Sequence, residues 1–252
     1  MIKIELPDEM LQTLVKANNV AVLTGAGISA ESGIQTFRDP QGLWAKFNPV
    51  ELASMDGFMS NPNLVWDWYQ YRREIISKAK PNPGHIAIAE MKNLFPKFTL
   101  ITQNVDRLHQ RAGSDNVIEL HGNIVENYCV SCNTPFLENI DFENKELPKC
   151  KKCGGLIRPN VVWFGEMLPY DALQDANSVA ETADFFFSIG TSAEVYPAAN
   201  LPIIAKNHGA YVVEINPNAT SISGYMNQTF NYPAGEVLPL FINDIKKIKG
   251  EK

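Results

Sequence analysis

A short apolar run, Val20-Ala21-Val22-Leu23-Thr24, breaks directly onto Gly25-Ala26-Gly27. A run of this kind, with no polar alternation, marks a strand buried on both faces, and such strands belong to parallel sheets covered by helices. A parallel strand cannot reach its next neighbour by a hairpin. It needs a long right-handed crossover, usually a helix, so this feature commits the chain to alternating strand and helix.

The rest of the sequence obeys that commitment. Helices are predicted over residues 8–18, 62–79 (after Asn61-Pro62, with Trp66, Trp68, Tyr69 and Tyr71), 84–94, 171–182 and 197–207, and a last one from near Gly235. Strands are predicted over 98–102, 117–120, 184–189, where three phenylalanines stand in a row, and 211–215. The expected fold class is α/β, a Rossmann-like parallel sheet with helices on both faces. Residues 36–60, rich in loop formers, and 123–160, which hold all four cysteines, do not fit the alternation. They are expected to leave the sheet and build a smaller domain of a helical module and a zinc ribbon. The expected division is a large part of 1–35, 84–122 and 159–252, and a small part of 36–83 and 123–158.

A net charge of -6 gives nucleic acid backbones nothing to attract, so no nucleic acid partner is expected, whereas a basic peptide is drawn in. No apolar run reaches the ~18 residues of a membrane span, and residues 1–12 lack a signal-peptide core. A cytoplasmic protein without a membrane partner is expected.

Ligands of open α/β sheets bind beyond the carboxyl ends of the strands. After residue 24 comes Gly25-Ala26-Gly27-Ile28-Ser29-Ala30, the pattern G-x-G-x-x-A, which lets a backbone approach a pyrophosphate, though it also fits a plain strand–helix turn. Gln103-Asn104-Val105-Asp106, Gly190-Thr191-Ser192 and Asn216-Pro217-Asn218 follow three further strands. Each loop alone is more often a helix cap or Asx-turn than a ligand contact, whereas four on one rim point to a ligand. A dehydrogenase would carry an acidic residue at the end of a second strand ~20 residues after the glycines. Here Phe37-Arg38-Asp39-Pro40 and a loop follow instead, so the dinucleotide is not expected to be held in the dehydrogenase manner. Cys129-x-x-Cys132 and Cys150-x-x-Cys153, 17 residues apart, match a structural zinc site of four thiolates.

Together these segments resemble the sirtuins, the NAD-dependent protein-lysine deacylases. The resemblance runs over roughly residues 15–245 and rests on Gly25-Ala26-Gly27-Ile28-Ser29, Thr36-Phe37-Arg38, Gln103-Asn104-Val105-Asp106, His121-Gly122, both cysteine pairs, Arg158-Pro159 through Phe164-Gly165-Glu166, Gly190-Thr191-Ser192 and Ile215-Asn216-Pro217. Two positions depart from the family pattern: Gln35 stands where Pro is common, and Arg107 where a small or acidic residue is common.

The resemblance implies NAD as a consumed co-substrate, one structural zinc, and an acyl-lysine peptide bound as an added strand. It places Gly25, Ala26, Gly27, Ser29, Glu31 and Arg38 at the phosphate side, with Phe37 over the nicotinamide ribose. Gln103 and Asn104 meet ribose hydroxyls and Asp106 the carboxamide. Gly190, Thr191, Ser192, Asn216, Asn218 and Ala234 hold the adenosine half. Val162, Phe164, Gly165, Glu166 and Val195 line the peptide cleft. His121 and Asn104 are the implied catalytic residues. In the implied mechanism the acyl oxygen attacks the nicotinamide ribose carbon and nicotinamide leaves. His121 then takes a proton from a ribose hydroxyl that attacks the imidate, and water completes the cleavage to O-acyl-ADP-ribose.

Of the four histidines, position alone marks His121, at a strand end on the ligand rim. His85 reads as a helix start, His109 as helix packing and His208 as a helix end. Tyr69 and Arg72, three apart on one helix, share a face. In a sirtuin that helix borders the acyl pocket, and Tyr-x-x-Arg looks like the class accepting succinyl and malonyl groups. A surface arginine beside a half-buried tyrosine is the other reading, with Arg73 adjacent. Mono-ADP-ribosyl transfer on the same scaffold, or a non-catalytic NAD-binding module, are the alternative functions. A monomer is expected.

Overall fold

All six residues of β1 (Asn19–Thr24) are buried, as the uninterrupted apolar run requires. β1 pairs in parallel with β2 (Lys97–Thr102) on one side and β7 (Phe185–Ile189) on the other. Beyond β2 lies β3 (Ile118–Glu119); beyond β7 lie β8 (Tyr211–Ile215) and β9 (Gln228–Phe230). The result is a six-stranded parallel sheet of order β3-β2-β1-β7-β8-β9. Strand order reverses between β1 and β7, and a crevice opens at the carboxyl ends there. This computed structural model describes residues 4–36, 48–138, 140 and 146–250.

Successive side chains alternate between two packed cores. Val20, Val22, Phe185, Phe187, Val213 and Ile215 face α1 (Asp8–Lys16), α6 (Pro83–Met91) and α10 (Ala234–Lys249). Ala21, Leu23, Ile101, Phe186 and Val212 face α8 (Tyr170–Thr182) and α9 (Leu201–Asn207), whose Ala176, Ala180 and Ala205 permit close approach. This explains the three consecutive phenylalanines: one strand buried on both sides. Truncating any of them to Ala would cost ~3–5 kcal/mol.

The two excursions join. β4 (Gly122–Cys129), β5 (Pro135–Phe136) and β6 (Ile157–Val161) form an antiparallel sheet of order β5-β4-β6. It shares one core with α5 (Pro62–Lys78), built from Phe58, Val65, Trp66, Trp68, Tyr69, Cys129, Ile157 and Trp163. Trp66 Nε1 donates to the Ile157 carbonyl at 3.1 Å across that seam.

Several elements differ from the sequence expectation. Residues 36–60, expected as loop, hold α3 (Pro49–Leu52) and α4 (Met55–Ser60), capped by Asn48 and Ser54. Helices this short carry too few turns to show a period. The strand expected over 117–120 keeps only two residues. The helix expected over 197–207 opens as a 3₁₀ turn, Ala198–Asn200. The edge strand β9, three residues long, is too short to show an alternation in the sequence. No helix among the described residues is long and apolar enough to cross a membrane.

Candidate active site

Two strand ends meet at the reversal point. Gly25 N donates to the Ile189 carbonyl at 2.9 Å, and Gly27 N to the Gly190 carbonyl at 2.8 Å. A Cβ at Gly27 would lie 2.8 Å from that same carbonyl oxygen, and one at Gly190 (φ +59°) 2.4 Å from the Ile28 nitrogen. Only glycine lets the two loops approach this closely. The short helix α2 (Gly27–Ala30) follows.

A cleft of about 650 Å³ opens above these loops. Gly25, Ala26, Gly27, Ser29, Gln103, Asn104, Asp106, His121, Gly190, Thr191, Ser192, Asn216 and Asn218 line it. So do Tyr69, Arg72, Val162, Phe164, Gly165, Glu166 and Val195. Loops far apart in sequence thus converge on one space. Phe37 and Arg38 lie outside the described residues. Glu31 and Ala234 are placed elsewhere: a Glu31 carboxylate oxygen accepts from Gly235 N at 2.9 Å at the start of α10, and Ala234 is buried beside it. Neither is among the residues lining the cleft. A smaller groove of about 350 Å³ near Lys92, Phe98 and Val179 touches none of the predicted site residues.

The cleft floor is a polar network. Ser29 Oγ donates to Asp106 Oδ2 at 2.8 Å, and Leu108 N to Asp106 Oδ1 at 2.8 Å. Asn104 Nδ2 donates to the Gly25 carbonyl at 3.0 Å. Gln103 Nε2 donates to Thr191 Oγ1 at 2.9 Å, and Asn216 Nδ2 to the Thr191 carbonyl at 2.8 Å. Burial pushes the Asp106 carboxyl up, against the lowering by these hydrogen bonds and by Arg72 and Arg111.

Beneath lie two histidines. Asn82 caps α6: its side chain accepts from the Gly84 and His85 amides, and its own N–H donates to His85 Nδ1 in a capping box. His109, in α7 (Leu108–Arg111), places Nε2 2.9 Å from Thr24 Oγ1, and its ring centroid is 4.8 Å from that of His85. Burial lowers His85 to about 4; burial and then His85 lower His109 to about 3. His85 holds the helix-start position and His109 the packing position expected of them, and both also underlie the site. The sequence carries no periodic signal for that second placement.

His121 stands at the end of β3. Its Nδ1 lies 2.9 Å from the Gln103 carbonyl oxygen. A carbonyl only accepts, so Nδ1 carries the proton and Nε2 is left as the basic nitrogen. Burial pushes the imidazole pKa down, and the bond to Gln103 partly restores it.

The opposite wall follows β6. Val162 N donates to the His121 carbonyl at 3.0 Å, and Phe164 N to that of Ala53 at 2.8 Å. The half-exposed Phe164 precedes Gly165 (φ +84°). Glu166 folds back to pair with Arg158 and accepts from Trp163 N at 2.8 Å. The Arg158 guanidinium lies 3.4 Å from the Trp163 ring centroid. Trp163 and Trp68 line the cleft and were not singled out as site residues. Tyr196 also lines it, and is exposed.

Tyr69 and Arg72 are 1% and 6% exposed, so the surface-arginine reading does not hold. Trp163 Nε1 donates to Tyr69 Oη at 2.8 Å. The Arg72 guanidinium stacks 5.0 Å from the Trp68 ring centroid. Burial pushes the Tyr69 phenol up and the Arg72 guanidinium down. Arg73 turns away, donating to the Ile124 carbonyl at 2.7 Å and to Asn127 Oδ1 at 2.6 Å.

The sulfurs of Cys129, Cys132, Cys150 and Cys153 all lie within 4.8 Å of one another, with near pairs at 3.4, 3.5 and 3.7 Å. Four thiolates around a tetrahedral Zn²⁺ stand about 3.8 Å apart, so the set fits that ion and leaves no open position.

A model of the Sir2 family matches residues 25–197. The chain is 51% identical over 234 residues to an NAD-dependent protein deacylase of Aquifex aeolicus, covering 93% of this chain and 98% of that one. It is 52% identical over 225 residues to NAD-dependent protein deacylase 1 of Caldanaerobacter subterraneus subsp. tengcongensis, covering 89% and 93%. Its fold superposes on a Sir2 homolog–NAD complex with a TM-score of 0.89 at 45% identity, covering 97% of this chain and 95% of that one. A Sir2 mutant with a deacetylated p53 peptide and 3'-O-acetyl ADP-ribose superposes with a TM-score of 0.81 at 38% identity, covering 97% and 98%.

Proposed function

The chain belongs to the Sir2 family and is an NAD-dependent protein deacylase, and we propose that its acyl pocket favours groups ending in a carboxylate. The observation that carries the finer reading is the buried pair Tyr69 and Arg72 at the cleft wall. A guanidinium there can hold a carboxylate through two parallel hydrogen bonds, and the phenol can add a third. Succinyl- and malonyl-lysine therefore lead acetyl-lysine as substrates.

In this reading the Gly25–Gly27 loop holds the NAD pyrophosphate together with Ser29 and Arg38. Gly190, Thr191, Ser192, Asn216 and Asn218 hold the adenosine half. Gln103 and Asn104 meet the nicotinamide ribose, Phe37 covers it and Asp106 takes the carboxamide. The acyl-lysine peptide lies as a strand between residues 162–166 and Val195. Once the acyl oxygen has displaced nicotinamide, His121 Nε2 accepts a ribose hydroxyl proton. The two packed cores around the large sheet and the third around Trp66 support the division into a large and a small part. We read the protein as a monomer, because described residues of this one chain line the cleft on every wall, and as cytoplasmic.

The test is incubation with NAD and acetyl, malonyl and succinyl versions of one peptide, with mass spectrometry of the products. O-acyl-ADP-ribose is expected. An ADP-ribosylated protein would favour the transferase alternative. Arg72→Met is expected to lower kcat/KM for succinyl-lysine by about ten-fold or more relative to acetyl-lysine. An unchanged ratio removes the carboxylate reading and leaves deacylation standing.

A further inference from the structure

We propose that Arg107 is a positioning residue for His121, acting as a clasp between the Gln103–Asp106 loop and the segment that carries the base. The inference rests on the reading of His121 as general base.

Arg107 follows Asp106 and sits in the left-handed region, φ +58°, which a non-glycine residue enters only when its surroundings hold it there. Its side chain does not cap the helix that follows. It reaches across to two carboxylates. Nε lies 3.2 Å from Glu119 Oε1, Nη2 3.3 Å from Glu119 Oε2, and Nη2 2.6 Å from Glu126 Oε1. Glu119 lies two residues before His121 and Glu126 five after it. One guanidinium thus pins both ends of the segment bearing the base.

Neighbouring amides fix the carboxylates. Gln110 Nε2 donates to Glu119 Oε1 at 2.9 Å and Asn123 Nδ2 to Glu119 Oε2 at 3.1 Å. Asn160 Nδ2, on β6, donates to Glu126 Oε2 at 3.2 Å. The His121 ring is itself oriented by the Gln103 carbonyl, on the loop that Arg107 ends. The Arg107 and Glu126 side chains are 33% and 53% exposed, so that pair adds little to folding stability. A planar fork held by two carboxylates fixes orientation instead. At a reacting centre, small displacements of a base are costly in rate.

The steps before and after His121 acts give separate readouts. Exchange of labelled nicotinamide into NAD reports formation and reversal of the ribose–acyl adduct, in which the ribose bond to the acyl oxygen breaks and the bond to nicotinamide re-forms. Deacylation needs the base as well. With the full chain, NAD and an acetyl-lysine peptide, Arg107→Met is expected to lower the kcat of deacylation about ten-fold, with KM for NAD and the exchange rate within about two-fold of wild type. Arg107→Lys, which keeps the charge and one carboxylate contact, should recover part of the loss. Glu126→Gln, should Arg107→Met fail to fold, is expected to raise the ratio of exchange to deacylation in the same direction. Proportional loss of exchange and deacylation, or no loss in any of these variants, overturns the clasp while wild-type deacylation upholds the function. Inactive wild type, or His121→Ala deacylating normally, overturns the proposed function and the clasp with it.

Discussion

Burial makes His121 a weaker base than free imidazole, and that weakness suits it. Its pKa is pushed below the usual value, about 6.5, so at neutral pH the ring is uncharged and Nε2 can accept a proton. The sign is fixed: a base works when deprotonated, so a lowered pKa extends activity toward acid. The acidic limb of kcat/KM for deacylation is expected below pH ~6.5, and His121→Ala should fold yet lose about 10²–10⁴-fold in rate. A limb at or above pH 7 would contradict the assignment. At this scale the sequence was informative where position alone constrains chemistry. His121 at a strand end and Tyr69 three residues before Arg72 could both be read. Which of Arg72 and Arg73 turns inward could not, because each lies near the boundary of the apolar face. The choice depends on Trp68 on one side and the Ile124 carbonyl on the other.

Among the elements, the cysteine turn shows how far spacing reaches. Two Cys-x-x-Cys pairs announce a tetrahedral thiolate site, and the four sulfurs do converge. Spacing says nothing about what lies beneath. Cys129 and Cys150 are buried in the same core as Trp66, Tyr69 and Trp163, so the site and the cleft wall share packing. Without the ion the four sulfurs lose the ligand they share and take up protons, and the turns they anchor against that core are released. Removing zinc with a chelator is therefore expected to cost at least ~3 kcal/mol and lower Tm by about 6–12 °C, while slowing deacylation through the loosened wall. An unchanged Tm after verified metal loss would show that the thiols do not hold a structural ion. The elements that escaped the sequence, α3, α4 and β9, are short pieces fixed by caps and edge pairing rather than by any period.

Over the whole molecule, the parallel sheet was legible because strands buried on both faces leave long apolar runs, whereas strand order was not, since a crossover can go either way. The missing acidic strand end has a topological cause: the excursion holding α3, α4 and α5 delays β2 to residue 97, and Asp106 arrives only beyond it. The sheet closes over His85 and His109, neutral and packed at a tilt against each other between α6, α7 and β1. Their folded pKa values, about 4 and about 3, lie below the unfolded value near 6.5. Between pH ~6.5 and ~4 the unfolded chain binds protons that the folded chain refuses, so stability falls as pH drops through that window. Asp106, raised by burial, opposes this with one proton of its own. These two histidines, with His121 lowered in the same direction, outweigh one carboxyl, and a net loss on the order of a few kcal/mol is expected by pH 4.5. Urea unfolding at pH 7.0 and 4.5 measures it. His109→Gln, which cannot titrate, should lower stability at pH 7.0 by removing the bond to Thr24 yet flatten the pH dependence by roughly a third to a half. Equal slopes in wild type and His109→Gln would assign the acid sensitivity to other groups.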